Sequence, residues 1–128
     1  AKNSLAPPYQ DEYAYNSTWA GDPFRVMMFK TILETIEQDD LYDKSSKAGN
    51  NFFNRLREMS GITNVRNINA FGAFDLKSID RDAFLLLMQD NGVLFGGCGT
   101  KSVRVRPSLL LDDDTVDIVI NHLSRLVG

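Results

Sequence analysis

The sequence predicts an α+β domain, a small and largely antiparallel sheet covered by helices. Three observations lead there. Four stretches carry apolar residues at helical spacing and are punctuated by aspartate, proline or glycine. Residues 65–76 and 102–106 alternate with the period of two that strands show. The elements follow one another as helix, helix, strand, helix, strand, strand, helix, with no internal repeat and no low-complexity tract.

The chain has 128 residues, enough for one domain with a real core and short for two. Hydrophobic residues make up 43% and charged residues 24%, an ordinary globular balance. A net charge of -3 argues against nucleic-acid binding by bulk charge. No apolar run approaches the roughly 20 residues of a membrane span. Cys98 is the only cysteine and His122 the only histidine, so an internal disulfide and a Cys/His zinc cluster are both excluded. The lack of disulfides favours a reducing, intracellular setting, cytoplasmic or mitochondrial matrix. The first residue is Ala1, which suggests a chain processed or cut from something longer, so the absence of a targeting segment carries little weight.

Residues 1–22 read as an irregular lead-in, with Pro7 and Pro8 and no clear period. Asp22 as N-cap and Pro23 at the first helical position open a helix to about Gln38. Phe24, Met28, Ile32 and Ile36, flanked by Met27 and Leu33, predict that this helix is buried. Asp39-Asp40 breaks it. A second helix runs from about Leu41 to Met59, with Ala48, Phe52, Leu56 and Met59 on one face and Gly61 as a stop. Residues 65–76 predict one strand, in which Gly72 marks a bulge or a close backbone contact. Ser78 or Asp80 caps a third helix to about Asn91, and its apolar run over 83–88 predicts burial of most of it. Residues 108–111 read as apolar and extended. Asp112 to Asp114 then lead into a last helix that buries Val116, Val119, Ile120 and Leu123.

The chemistry concentrates in residues 91–107, NGVLFGGCGTKSVRVRP. A glycine-rich turn at Gly96, Gly97 and Gly99 precedes a strand that sets Val103 and Val105 on one side and Ser102, Arg104 and Arg106 on the other. Two guanidiniums on one face suit a carboxylate or phosphate. The plainer reading is an amphipathic edge strand with both arginines in solvent. Ser17 and Thr18 sit just ahead of a helix start, where hydroxyls and free backbone N–H groups suit an anion such as phosphate. The plainer reading there is helix capping. Three consecutive aspartates before a helix read as caps and not as a metal site. His122 reads as surface or structural.

NSTWAGDP at 16–23, the helix after it, and NGVLFGGCGTKSVRVRP together resemble the C-terminal part of class III pyridoxal-phosphate aminotransferases. The likeness is strongest to 4-aminobutyrate aminotransferases, then to lysine 6-aminotransferases, and it covers residues 13–127. It implies that residues 23–128 are the small domain of a fold-type I enzyme whose large cofactor-holding domain lies outside this chain. It implies pyridoxal 5'-phosphate as cofactor, a homodimer, and an amino acid and 2-oxoglutarate as substrates, with no nucleic-acid or membrane partner. By the resemblance, Thr18 binds the cofactor phosphate of the neighbouring subunit, with Ser17 and Asn16 beside it. Arg104 sits at the substrate end, paired with a glutamate of the large domain or a substrate carboxylate. Arg106 is the lesser candidate, and Gly96, Gly97 and Cys98 form the turn beneath.

The family's Schiff-base lysine and the aspartate that pairs with its pyridine nitrogen lie upstream, so this stretch holds no catalytic residue. Lys2 carries no family motif around it. The family's RGRG-like segment reads Arg66-Asn67-Ile68-Asn69, and its GCGD pattern reads Gly97-Cys98-Gly99-Thr100. The readings that stay open are a 4-aminobutyrate enzyme, a lysine 6- or ornithine aminotransferase, and a non-catalytic interaction module.

Overall fold

A computed structural model of the chain describes residues 18–127. Two compact units divide the chain, one up to Glu34 and one from Thr35 onward.

The first unit is carried by helix α1, Pro23–Gln38, which runs on into the second. Its start is the expected one: Asp22 Oδ1 accepts the N–H of Phe24 at 3.0 Å, and Asp22 O accepts the N–H of Val26. Gly21 takes φ +75 in the turn before it. The apolar stripe behaves differently from the sequence prediction. No residue of α1 is buried, and Phe24, Met27, Met28 and Ile32 are each more than half exposed. Helical periodicity reports that a stripe exists; burial also needs a facing surface. Among the described residues up to Glu34, α1 is the only helix, and it has no strand or second helix to pack on.

The second unit holds helices α2 (Leu41–Glu58), α3 (Arg81–Asp90) and α4 (Asp113–Val127). Its four strands are β1 (Ile62–Ile68), β2 (Phe71–Leu76), β3 (Gly96–Cys98) and β4 (Ser102–Val105). They form one sheet in the order β1-β2-β4-β3, antiparallel throughout, as predicted. Asp40, at φ 50, breaks the chain between α1 and α2. The residues predicted as a single strand over 65–76 form a hairpin instead. Asn69 at φ 53 supplies the left-handed residue that turns the chain, a conformation asparagine tolerates. Folding back at residues 69–70 reverses the alternation: Arg66 and Ile68 share the outer face with Phe71, Ala73 and Asp75, while Gly72 and Phe74 point inward. β1 also carries a bulge, because Thr63 pairs with Asp75 and Arg66 with Ala73, three steps against two.

The inner face is covered by helices. α2 places Ala48, Phe52, Phe53 and Leu56 on it, and α4 places Val116, Ile120, Leu123 and Val127. Phe53, Leu56, Phe74, Phe84, Met88, Val103 and Leu123 are fully buried. Each such side chain contributes about 1.5–3 kcal/mol relative to exposure. Phe74, Phe84 and Phe95 meet at centroid distances of 6.0–6.2 Å, two of the pairs edge to face. α3 buries less than its apolar run predicted. Phe84 and Met88 are inside, whereas Leu86 and Leu87 are exposed, because only one face of a helix can meet a sheet. The predicted extended segment 108–111 is a turn. No helix among the described residues is long and apolar enough to cross a membrane.

Candidate functional site

The outer face of the sheet carries the charged groups. A row of directly opposed residues crosses all four strands: Arg66, Ala73, Arg104, Gly96. β4 is a central strand in this sheet and not an edge, so Arg104 stands on backbone held from both sides. Val103 and Val105 point into the core, as the alternation predicted, and Arg104 is exposed.

Two arginines in this row meet different fates. Arg66 Nη2 donates to Ser102 Oγ at 2.7 Å, and Ser102 Oγ donates to Asp75 Oδ1 at 2.6 Å. Arg66 also lies 3.6 Å from Asp75, and Asn64 Nδ2 donates to Asp75 Oδ2 at 2.8 Å. The Ser102 hydroxyl, then the Asn64 amide, then the Arg66 charge hold the Asp75 carboxyl below its ordinary value, against partial desolvation. Arg66 is thus engaged by Ser102 and Asp75. Arg104 makes no hydrogen bond or ion pair among the described residues, which leaves a free guanidinium two strands away.

Of the glycines expected as a turn, Gly96 and Gly97 lie in strand β3 with Cys98, while Gly99, at φ 54, opens the turn at residues 99–101 as expected. Gly96 and Gly97 are needed for space on both faces. A Cβ on Gly96 would stand 2.9 Å from Arg104 Nη2 on the outer face. A Cβ on Gly97 would stand 2.5 Å from Arg81 Nη1 on the other. Arg81 reaches from α3 under the hairpin, pairs with Asp82, and donates to Gly99 O at 3.2 Å. Cys98, at the end of β3, is exposed and free.

Arg106 does not join Arg104. It follows the end of β4 and lines an apolar cleft of about 140 Å³ with Val93, Leu94, Phe95, Pro107 and Leu111. Asp112 acts as a cap: Oδ1 accepts the N–H of Thr115 at 2.9 Å, and the Thr115 hydroxyl and amide hold its carboxyl below the usual value. His122 is half-buried on α4.

Thr18 lies in the turn before α1 and is exposed. Ser17, Asn16 and Lys2 fall outside the described residues. The helix start offers an anion less than expected, because Asp22 holds the Phe24 amide and brings its own negative charge, with Arg25 3.6 Å away. Thr18 and Arg104 belong to different units.

Sequence reasoning missed the Asp75–Ser102–Arg66 network. Its signal was hidden because the pairing of β2 with β4, between strands distant in the chain, sets Asp75 beside Ser102.

The model of the family "Aminotransferase class-III" matches residues 5–127. A 4-aminobutyrate aminotransferase from Kluyveromyces lactis is 36% identical over 124 residues, which cover 91% of this chain and 26% of that protein. The mitochondrial 4-aminobutyrate aminotransferase of Homo sapiens is 29% identical over 91% of this chain and 24% of its own length. Among solved structures, the lysine aminotransferase from M. tuberculosis matches with a TM-score of 0.76 and 26% identity, over 87% of this chain and 27% of that one. The chain therefore spans about a quarter of the length of these relatives. With its match running almost from end to end, the chain belongs to the class III aminotransferases, a family of pyridoxal-phosphate enzymes.

Proposed function

We propose that residues 23–128 are the C-terminal small domain of an ω-amino-acid transaminase that passes the amino group of 4-aminobutyrate to 2-oxoglutarate and works as a homodimer. Residues 1–22 form the lead-in that carries the cofactor-phosphate contacts. Catalysis then requires the remaining three quarters of a polypeptide of the relatives' length, where the Schiff-base lysine resides.

The observation that carries this reading is the free guanidinium of Arg104 on a central strand, beside an Arg66 already satisfied by Asp75 and Ser102. A planar, permanently charged fork on rigid backbone suits bidentate pairing with a carboxylate. Both 4-aminobutyrate and 2-oxoglutarate present one. Arg104 holds that carboxylate, or a glutamate that takes its place between half-reactions, and so sets the distance of the amino or keto carbon from the reacting centre.

Pyridoxal phosphate supplies the electron sink for carbanion chemistry. Thr18 fits its phosphate in part. Its hydroxyl is exposed and makes no hydrogen bond among the described residues, so it can donate to a phosphate oxygen. Asp22 keeps the helix amide of Phe24 for itself, so the contact falls to the turn, to Thr18 with Ser17 beside it. A lysine 6-aminotransferase is the second reading, favoured by the likeness to the M. tuberculosis structure.

The test is a set of half-reactions on the full-length protein with 4-aminobutyrate, lysine and ornithine, followed by visible absorbance of the cofactor. A band that shifts with 4-aminobutyrate and returns with 2-oxoglutarate supports the proposal. A shift with lysine alone transfers it to the second reading. A full-length protein with no cofactor band is a binding module. R104A should raise KM for 2-oxoglutarate roughly 10- to 100-fold, the loss of a charge-assisted hydrogen bond. T18A should instead weaken cofactor retention.

A further inference from the structure

We propose that Gly96 is a positioning residue for Arg104: its missing side chain leaves the bay in which the guanidinium rests. This rests on the reading of Arg104 as the carboxylate-binding arginine. Gly96 is the direct cross-strand partner of Arg104. A Cβ built on Gly96 would stand 2.9 Å from Nη2, 3.2 Å from Nε and 3.4 Å from Cζ of Arg104. All three atoms belong to the guanidinium and none to the aliphatic stem. The charged plane therefore lies across the bare backbone of β3.

Backbone freedom does not explain this glycine. Gly96 is not among the glycines with positive φ, whereas Gly99 in the following turn has φ 54 and open space around its Cα. What position 96 needs is the absence of a Cβ. On the other side of Arg104 the row continues to Ala73, a small residue, and then to Arg66, which is turned to Asp75 and Ser102. The free cation is thus flanked by the two smallest side chains available, and it lies toward the smaller.

The physical consequence is selective. The atoms that a Cβ would strike are the far end of a flexible side chain, so they can give way without moving the backbone. A methyl at 96 then shifts the charge by about 1 Å, the gap between a 2.9 Å approach and ordinary carbon contact distance. The fold survives and the carboxylate meets a misplaced fork.

The experiment compares wild type, G96A, R104A and the double variant in the full-length enzyme, with crystal structures of wild type and G96A. G96A is expected to raise KM roughly tenfold for both 4-aminobutyrate and 2-oxoglutarate, with the melting temperature near wild type. In the R104A background, G96A should change nothing further. The G96A structure should show the Arg104 guanidinium moved while β3 and β4 superpose. A wild-type KM for G96A, an equal penalty with and without Arg104, or an unmoved guanidinium overturns the inference. If R104A alone leaves the kinetics intact, the carboxylate role of Arg104 falls, and the crystallographic comparison still decides whether Gly96 places it.

Discussion

Gly72 lies against the tip of the Phe53 ring. A Cβ built on the glycine would stand 2.5 Å from Phe53 Cζ and 2.3 Å from the carbonyl oxygen of Arg66. Neither neighbour can step aside, since one is a fully buried ring and the other is ladder backbone. G72A is therefore expected to cost about 1–3 kcal/mol by overpacking. Urea unfolding of the 128-residue chain should show a lower midpoint at unchanged slope. A midpoint equal to wild type would mean that α2 does not press on β2 as described.

The network around Asp75 makes a pH prediction. Its carboxyl is held below the ordinary value by Ser102, Asn64 and Arg66. The unfolded chain binds that proton more readily, so stability from this group is complete above about pH 4 and is lost as pH falls through the lower folded value. S102A should shrink this acid-side loss and D75N should abolish it, as read from midpoints between about pH 2 and 6. A D75N protein with the wild-type acid profile would contradict the assignment.

Asp80 caps α3 with one oxygen that accepts from both Asp82 N and Ala83 N at 3.0 Å. D80A should cost about 1 kcal/mol. Ser78, the other cap candidate by sequence, makes no such bond, and S78A should leave the midpoint within about 0.5 kcal/mol of wild type. Equal effects from the two would remove the distinction.

The bare stripe on α1 predicts separate effects on folding and on association. M27Q with I32Q should leave the unfolding midpoint of the 128-residue chain unchanged, because neither side chain is buried. The same pair should reduce self-association in sedimentation, since each removes exposed apolar area. A clear loss of stability would show that the stripe is covered within the chain.

These residues show what a sequence alone reveals. Caps are local, so Asp22, Pro23 and Asp80 could be read from their neighbours. The buried faces of α2 and α4 followed from period alone because the sheet lies opposite them. The same period on α1 misled, since nothing in a stripe says what faces it. The hairpin at Asn69 was hidden because no glycine or proline marks it, and an asparagine does the turning. Arg104 was found by motif and by alternation. That Asp75 stands opposite Ser102, and Gly96 opposite Arg104, appears only with strand pairing.

The bulge in β1 has a consequence for chain length. β1 takes three steps where β2 takes two, so the strand holds one residue beyond what its pairing uses. Shortening it by Asn64 would restore an even ladder with Arg66 still opposite Ala73 and Thr63 still opposite Asp75. Every downstream side chain would keep its face. A residue inserted between Arg66 and Ile68 has no such slack: it would exchange inside for outside along the end of the strand. β1 can therefore lose a residue at one point and gain none at another, an asymmetry in tolerated length changes that comes from geometry alone.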